Sequence, residues 1–470
     1  MFYFKNKLSD KAILIIMFIF AFTFTKTWAR SNIDGVSELM ENGLYFSSWP
    51  IVREDLKRNN LRSETADFVL SQVIFKMGAK HIESILSDDK NFKTNGLPSL
   101  KYIWAKILFK KGQYEAAIKI IRSMPEDSSI RALSYLIEGS ALVFIDRPEE
   151  AFDIFADCIN KSNKSLSRAK TKSEKRILEV NKDYCLVGAA RILFSQKQFV
   201  SAYLAYLDLS KESYIWPEIL LEEAWNSYYL RDFNRTLGKL VTYHAPFLRG
   251  VFYPEAEVLL ALTYLRMCLW GDVKRVVDEF YSNFEDSFEQ VKKYMSSVDG
   301  NHQHFYKLAI QKLQGKYLEN RTLDKIIDSI VHENAFNEMR ISLEEGENEE
   351  NLVGNNNSKV AAGVNPNNIR KYLSFSLNEH RRLMGEYVLD KVKKKLKELD
   401  KAFKDMSYIK LEVLAHEKKK LYAFDERTAR ERGDVKFLKR NEKQYFWTFN
   451  GEFWADELGD YVFALGSECE

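Results

Sequence analysis

The sequence predicts an all-α protein: a solenoid of helical hairpins, then a long C-terminal helical hairpin and a small aromatic tail resembling a β-hairpin. Three observations predict this fold class. The chain has 20 Gly and 8 Pro among 470 residues, about half their usual share, which disfavours turn-rich β folds. A pattern of small and aromatic residues repeats about every 34 residues in the middle of the chain. Apolar residues recur every three or four positions in the second half, as on one face of a helix.

Residues 1–29 are typical of a secretory signal peptide. A lysine-bearing start precedes the apolar run from Ala12 to Phe24, and the small residue Ala29 follows. A bilayer core needs about 20 apolar residues, and this run is shorter. We therefore expect cleavage near Arg30 and an exported, periplasmic protein, with an uncleaved anchor as the alternative.

The charge of the chain is balanced once this segment is set aside. The full sequence carries 70 Lys and Arg and 67 Asp and Glu, and residues 1–29 hold four of the lysines and one of the acids. Binding to phosphates needs a basic excess. The balance therefore argues against nucleic acid as a main partner.

The repeats define the predicted solenoid, residues 99–284. Ala151 follows Ala117 by 34 residues, and Thr236 follows Ala202 by the same distance. Small residues at such positions let two helices cross closely, and neighbouring hairpins then bury each other's apolar faces. Residues 30–98 are predicted as an N-terminal helical region with one degenerate repeat, because Gly78 lies 34 residues before Gly112.

The repeat resembles a known class. Gly112, Tyr114, Ala117 and Ile121 occupy the turn and second-helix positions where a tetratricopeptide (TPR) repeat has Gly, an aromatic residue, Ala and a large apolar residue. A helical array of another type is the alternative.

Two further stretches resemble periplasmic TPR proteins of bacterial envelope machines, the gliding-motility complex among them. They are Tyr253-Pro254-Glu255-Ala256 at the start of a repeat helix, and Gly451-Glu452-Phe453-Trp454 with Asp456-Glu457-Leu458-Gly459 near the C-terminus. Such proteins are scaffolds, so the resemblance implies a scaffold and transfers no catalytic residue.

Residues 161–176 interrupt the repeat with seven basic residues and one acid, Glu174. We interpret them as a solvated insertion between hairpins, with a basic docking finger for a partner as the alternative. Beyond the solenoid we expect a helical extension (285–343), a disordered acidic and Asn-rich loop (344–369) and a long helix (370–443). The long helix has a narrow apolar seam from Leu389 to Met406, which predicts an antiparallel hairpin or, alternatively, an intermolecular coiled coil.

The aromatic tail, residues 444–470, contains Asn450-Gly451, a strong signal for a tight β-hairpin turn. We expect its aromatic residues to pack on the long helix, with an exposed docking patch as the alternative. Three of the four cysteines lie in apolar helical segments and are interpreted as buried thiols. Pairing of Cys158 with Cys185, or of Cys268 with Cys469, stays open.

Motifs for catalysis are missing from the sequence: no GxSxG, GxGxxG, P-loop, HExxH or CxxC occurs. His302 and His304 are close in sequence but lack a third ligand nearby, and the C-terminal acids match no calcium loop. We therefore expect no enzyme, no cofactor and no metal site. The alternative is an enzyme or enzyme regulator that acts on cell-wall polymer and uses the solenoid for targeting.

The inner face of a solenoid is built by the first helix of each repeat, and it is the predicted site for partners. Aromatic residues among cations suit an extended or helical peptide of acidic character, supplied by another envelope protein. We expect membrane association only through such partners, and the oligomeric state stays undetermined. The predicted groove residues are Lys106, Phe109, Lys110, Phe144, Arg191, Phe194, Trp225, Tyr228 and Tyr229.

Overall fold

A computed structural model describes residues 33, 35–87, 94–248, 250–298, 300–355, 366–422, 438, 444, 446, 449 and 451–469. These residues form α-helices joined by turns, with two short 3-10 segments at Thr242–His244 and Pro246–Leu248 and no strand. The predicted all-α fold class is confirmed. The predicted signal peptide lies outside the described residues. None of the described helices is both long enough and apolar enough to cross a membrane.

The chain divides into two compact units. Unit 1 comprises Met1–Gly112, Ile120–Ile130 and Ile341–His380, and unit 2 comprises Gln113–Lys119, Arg131–Arg340 and Arg381–Glu470. The helices in chain order are α1 (35–41), α2 (Tyr45–Lys57), α3 (Glu64–Lys76), α4 (Lys80–Leu86), α5 (Pro98–Lys110), α6 (Tyr114–Arg122), α7 (Arg131–Phe144), α8 (Pro148–Leu166), α9 (Lys172–Ser195), α10 (Phe199–Leu207), α11 (Trp216–Tyr229), α12 (Phe233–Val241), α13 (Pro254–Arg266), α14 (Trp270–Ser297), α15 (His302–Leu313), α16 (Arg321–His332), α17 (Asn334–Asn355) and α18 (Pro366–Tyr422).

Successive helical hairpins from α3–α4 to α13–α14 share one turn. Three residues join the two helices of each hairpin, and the middle residue has a left-handed backbone. In unit 2 the residue after it donates its N–H to the carbonyl five positions earlier, as Arg147 does to Leu142, which is a Schellman C-cap. This recurrence confirms an array of helical hairpins in one register. The left-handed residues are Gly78, Gly112, Asp146, Lys197, Arg231 and Cys268.

Small residues occupy the helix crossings, as the repeat predicts. The ring of Phe155 on α8 lies between Gly139 of α7 and Gly188 of α9, and a Cβ on either glycine would approach the ring to 2.6 Å. Ala151 and Ala202 are fully buried. The helices can pack this closely because glycine and alanine at these positions leave room for the side chains of the neighbouring helix.

Residues 161–176, predicted as a solvated insertion between hairpins, are mostly helical. α8 continues to Leu166 and α9 begins at Lys172. The buried side chain of Asn181 donates to the carbonyl of Ala132 and to the hydroxyl of Ser162. These buried polar contacts order the lengthened helices, a reason that the charge of the segment did not reveal.

The cysteines form two disulfides instead of the predicted buried thiols. Cys158 of α8 is bonded to Cys185 of α9, with 6.2 Å between the Cα atoms. Cys268 in the α13–α14 turn is bonded to Cys469, with 5.0 Å between the Cα atoms. The partners are 27 and 201 residues apart in sequence, so spacing alone could not show that the fold brings them together.

Helices α17 and α18 pack on each other within each unit, as the predicted hairpin requires. In unit 1, Val353 and Ile369 belong to one apolar cluster. In unit 2, the ring centroids of Phe336 and Tyr387 are 6.4 Å apart. The predicted apolar seam of α18 is largely buried, and its Phe403 stacks on Phe288 of α14, the last repeat helix, at 5.2 Å.

The predicted disordered loop, residues 344–369, is wrong over most of its length. α17 remains helical to Asn355 and α18 begins at Pro366, while residues 356–365 lie outside the described residues. Glu349 supplies the physical reason in unit 1: its carboxylate accepts the backbone N–H groups of Phe46 and Ser47, at 2.7 and 2.9 Å, in the first turn of α2. An acidic residue that caps a helix in this way orders the segment that carries it.

Residues 451–469, which we call the strap, lie on the repeats of unit 2. Asn234 of α12 accepts from the N–H of Leu465 and donates to its carbonyl, at 3.0 and 3.2 Å. Leu458 is buried in the apolar cluster of Trp216 and Leu220. Over the strap, the expectation that the tail packs on the long helix is therefore wrong, because the repeats offer both apolar contacts and backbone partners.

The predicted β-hairpin of the tail stays a prediction. Asn450 lies outside the described residues, and the strap itself contains turns and no strand. Gly238 explains how the strap approaches α12 so closely, because a Cβ there would lie 1.5 Å from the carbonyl oxygen of Tyr461.

Candidate functional site

A partly exposed group of aromatic rings lies on one face of unit 2, where α9, α10 and α11 meet. The ring of Tyr229 stacks on Phe199 with 5.2 Å between centroids and meets Phe194 edge-on at 5.5 Å. The ring of Trp225 is 6.1 Å from that of Tyr229. Such offset and edge contacts are the favoured geometries of aromatic pairs. We call this group the aromatic ladder: Phe194, Phe199, Trp225, Tyr228 and Tyr229.

Polar contacts link the first helices of successive repeats beside the aromatic ladder. Arg191 of α9 makes a bidentate ion pair with Glu222 of α11, with its shortest N to O distance at 2.6 Å. The indole N–H of Trp225 donates to Glu255 of α13 at 2.9 Å. Burial and the Glu222 carboxylate raise the pKa of Tyr206, whose hydroxyl donates to Glu222 at 3.1 Å. The polar edge of the ladder is thereby fixed by side chains of the protein itself.

The members of the aromatic ladder differ in how far solvent reaches them. Tyr229 is 50% exposed, whereas Trp225 and Tyr228 pack partly against the buried cluster of Ala224, Leu240 and Leu259. Trp225 and Tyr228 therefore also stabilise the hairpin, and Tyr229 presents the most accessible ring of α11.

Lys106 and Lys110, which were predicted to line the groove, are held within unit 1. Their ammonium groups lie 3.0 and 2.6 Å from the carboxylate of Glu83. Burial raises the pKa of Glu83, but the two lysines outweigh it and the net pKa is lowered. Phe109 of the same helix is half-buried. These two cations neutralise a buried acid, so they do not support the predicted preference for an acidic peptide.

Phe144 is the most exposed of the predicted aromatic residues, at 63%. It stacks on Tyr114 with 4.7 Å between nearly parallel rings. The structure thus brings Arg191, Phe194, Trp225, Tyr228 and Tyr229 together in unit 2 and places Phe144 against a different partner.

Sequence reasoning missed Phe199, Glu222 and Glu255. A signal for the two acids was present: Glu222 lies 31 residues after Arg191, and Glu255 lies 30 residues after Trp225, close to one repeat period. Residues one period apart on first helices are neighbours in a solenoid. A search for complementary polar residues at that spacing would have found both pairs.

A second cluster of ionisable groups in unit 2 surrounds Glu333. Its carboxylate accepts from the hydroxyl of Tyr387 at 2.6 Å and contacts the ammonium groups of Lys391 and Lys395 at 2.6 and 3.5 Å. Burial, with the nearby Glu333, raises the pKa of Tyr387. Lys395 also donates to the carbonyl of Phe252. These groups satisfy one another, which is typical of structural packing.

The remaining candidates for metal binding have other partners. The His304 ring bonds the hydroxyl of Tyr294, and the His302 ring lies 3.9 Å from Glu386. Asp460 accepts from Lys211 at 2.6 Å, and Glu452, Asp456 and Glu457 are exposed. Across the part of the chain that the structure describes, no three His, Cys, Asp or Glu residues are grouped to hold a metal ion.

No family model matches this chain, and neither a curated protein nor a solved structure does.

Proposed function

We propose that this protein is an exported, non-enzymatic scaffold of the TPR type that holds a segment of another cell-envelope protein on its aromatic ladder. The observation that carries the proposal is the ladder itself, a run of aromatic rings that remain partly open to solvent. Exposed aromatic residues on a rigid surface are the usual anchors of protein interfaces, because each buries a large apolar area.

The partner segment is an apolar helix or extended peptide. Arg191 already pairs with Glu222, and Trp225 already donates to Glu255, so the rings supply the affinity. A helix would place side chains at intervals of three and four residues along such a surface.

Export is supported by the two disulfides. Cysteine pairs persist in oxidising compartments such as the bacterial periplasm and are rare in the cytosol. Both pairs bridge separate elements of unit 2, one between α8 and α9 and one between the α13–α14 turn and the strap.

The test begins with identification of the partner by photo-crosslinking from position 229 in cells, followed by calorimetry with the purified partner. We expect the double variant Trp225→Ala and Tyr229→Ala to bind about 30-fold more weakly, since a buried aromatic anchor contributes about 2 kcal/mol or more. Phe144→Ala is the matched control, because it removes an exposed ring outside the ladder.

Circular dichroism shows whether the double variant keeps its helix content. A folded double variant with the affinity of the wild type would contradict the proposal. An equal loss of affinity in Phe144→Ala would show that binding does not depend specifically on the aromatic ladder.

A further inference from the structure

Helices α8 and α9, which connect two successive hairpins of unit 2, are longer than the neighbouring helices α7, α10, α11 and α12. α8 has 19 residues and α9 has 24, whereas the second helices α10 and α12 have 9 each and the first helices α7 and α11 have 14 each. At 1.5 Å per residue, the extra residues lengthen each helix by about 15 Å. The added length ends in the link 167–171. We call residues 161–176 the basic finger.

The base of the basic finger is fixed to its neighbours. The Cys158–Cys185 disulfide joins its two helices, and Arg176 makes two bonds with Glu338 of α17, at 2.7 and 3.1 Å. At the tip, the Thr171 hydroxyl accepts the N–H of Glu174, whose carboxylate accepts the N–H of Lys170. These two bonds satisfy backbone N–H groups at the start of α9.

The tip of the basic finger carries an uncompensated positive charge. Arg176 is paired with Glu338, and Glu174 is the one acid within 161–176. Five other cationic side chains are exposed and form no ion pair with any residue that the structure describes: Lys164, Arg168, Lys170, Lys172 and Lys175.

We propose that the basic finger binds the surface of a bilayer that contains anionic phospholipids. The finger exposes no large apolar side chain among 161–176, so it lacks the buried anchor on which a protein partner depends. Four of its five exposed cations are lysines, which act as mobile point charges and do not impose the fixed fork geometry of arginine. That arrangement fits a diffuse array of negative headgroups.

The length of the finger lets its tip approach the bilayer surface. Charges interact over about 8 Å at physiological salt, and the added 15 Å or so brings the tip within that distance while the repeats stay clear. Each basic residue at an anionic bilayer strengthens binding about fivefold. The protein would then contact a membrane directly, in place of the purely indirect association that the sequence predicts.

Cosedimentation of the full chain with lipid vesicles tests the proposal. We expect the wild type to bind vesicles of about 30% phosphatidylglycerol in phosphatidylcholine and not to bind pure phosphatidylcholine vesicles. The bound protein should dissociate as the salt concentration is raised. Replacement of the five exposed cations of the finger by Gln should weaken binding about 1000-fold or more, because the fivefold contributions multiply. Thermal unfolding followed by circular dichroism checks that the variant is folded.

The matched control removes the same number of positive charges from exposed lysines of α18, at Lys394, Lys397, Lys401, Lys418 and Lys419. It should bind the anionic vesicles like the wild type. Equal loss in both variants would show a general charge effect and overturn the proposal. Failure of the wild type to bind the vesicles would also overturn it, and capture of polyglutamate instead would assign the finger to an acidic polypeptide.

Discussion

The helix crossings of unit 2 and the polar core of unit 1 are both buried, but different interactions stabilise them. At the crossings, Gly139 and Gly188 leave space for the ring of Phe155, and no charge is involved. In unit 1, by contrast, carboxyl groups lie in the core. Besides Glu83, Glu349 accepts backbone N–H groups of α2, and Glu379 accepts the indole N–H of Trp49 at 2.6 Å.

The difference shows which property controls each region. A crossing between helices tolerates little change in volume, because protein interiors are close-packed. A buried carboxyl group tolerates little change in its hydrogen bonds or protonation, because desolvation penalises the charged form. Unit 2 crossings should therefore respond to side-chain size, and the core of unit 1 should respond to pH.

The largest effect of volume is expected at Gly238, where the strap crosses α12. In Gly238→Ala the new Cβ would overlap the carbonyl of Tyr461, which lies 1.5 Å from its position. The strap must then leave α12, and we expect a loss of at least about 3 kcal/mol in the free energy of unfolding. Urea denaturation measures the loss, and hydrogen exchange of residues 451–469 shows the release of the strap.

Gly271→Ala is the control for this substitution, because a Cβ at Gly271 meets nothing within 4 Å. It should leave both measurements near the wild-type values. Equal protection of the strap in Gly238→Ala and wild type would mean that volume does not control this contact.

The pH response of unit 1 is expected from Glu349. Burial raises its pKa from 4.5 to about 7. Between these values the folded state binds more protons than the unfolded state, so stability falls as pH rises. At 1.36 kcal/mol per pKa unit the loss approaches about 3 kcal/mol by neutral pH. Hydrogen exchange of α2, corrected for intrinsic rates, should show weaker protection at pH 7.5 than at pH 5.

Lys76 and Glu345 line the same cavity as Glu349 and form an ion pair at 3.2 Å. Glu349→Gln separates the titration of Glu349 from these two groups, which stay unchanged in the variant. A neutral amide at position 349 should flatten the pH dependence of α2 protection. The same slope in variant and wild type would assign the pH response to other groups and weaken the contrast between the two regions.

A smaller effect is expected at Ala151 in the crossing of α8. The residue is fully buried, so Ala151→Leu should destabilise the protein by about 2 kcal/mol through overpacking. Thermal unfolding measures the change. Ala156→Leu on the same helix adds the same bulk at an exposed position and should be close to neutral. An unchanged unfolding temperature in Ala151→Leu would show that the repeat register is wrong.

The sequence alone determined the helical class and the hairpin array. Low Gly and Pro content, small residues about 34 positions apart and the apolar seam of α18 were enough, because hairpins join neighbours in the chain and so leave a periodic pattern. The same period placed Arg191, Phe194, Trp225, Tyr228 and Tyr229 on one surface before the structure was known.

Only the tertiary structure decided the contacts between distant residues. Nothing periodic links Cys268 to Cys469, or Gly238 to the strap that crosses it. The acidic stretch around Glu349 looked disordered because its composition is polar, yet its carboxylate caps a helix about 300 residues earlier in the chain. Composition and spacing indicate which contacts a segment can make by itself. Contacts with a distant part of the chain can offset the entropy cost of ordering the segment, and they leave no signal in its local sequence.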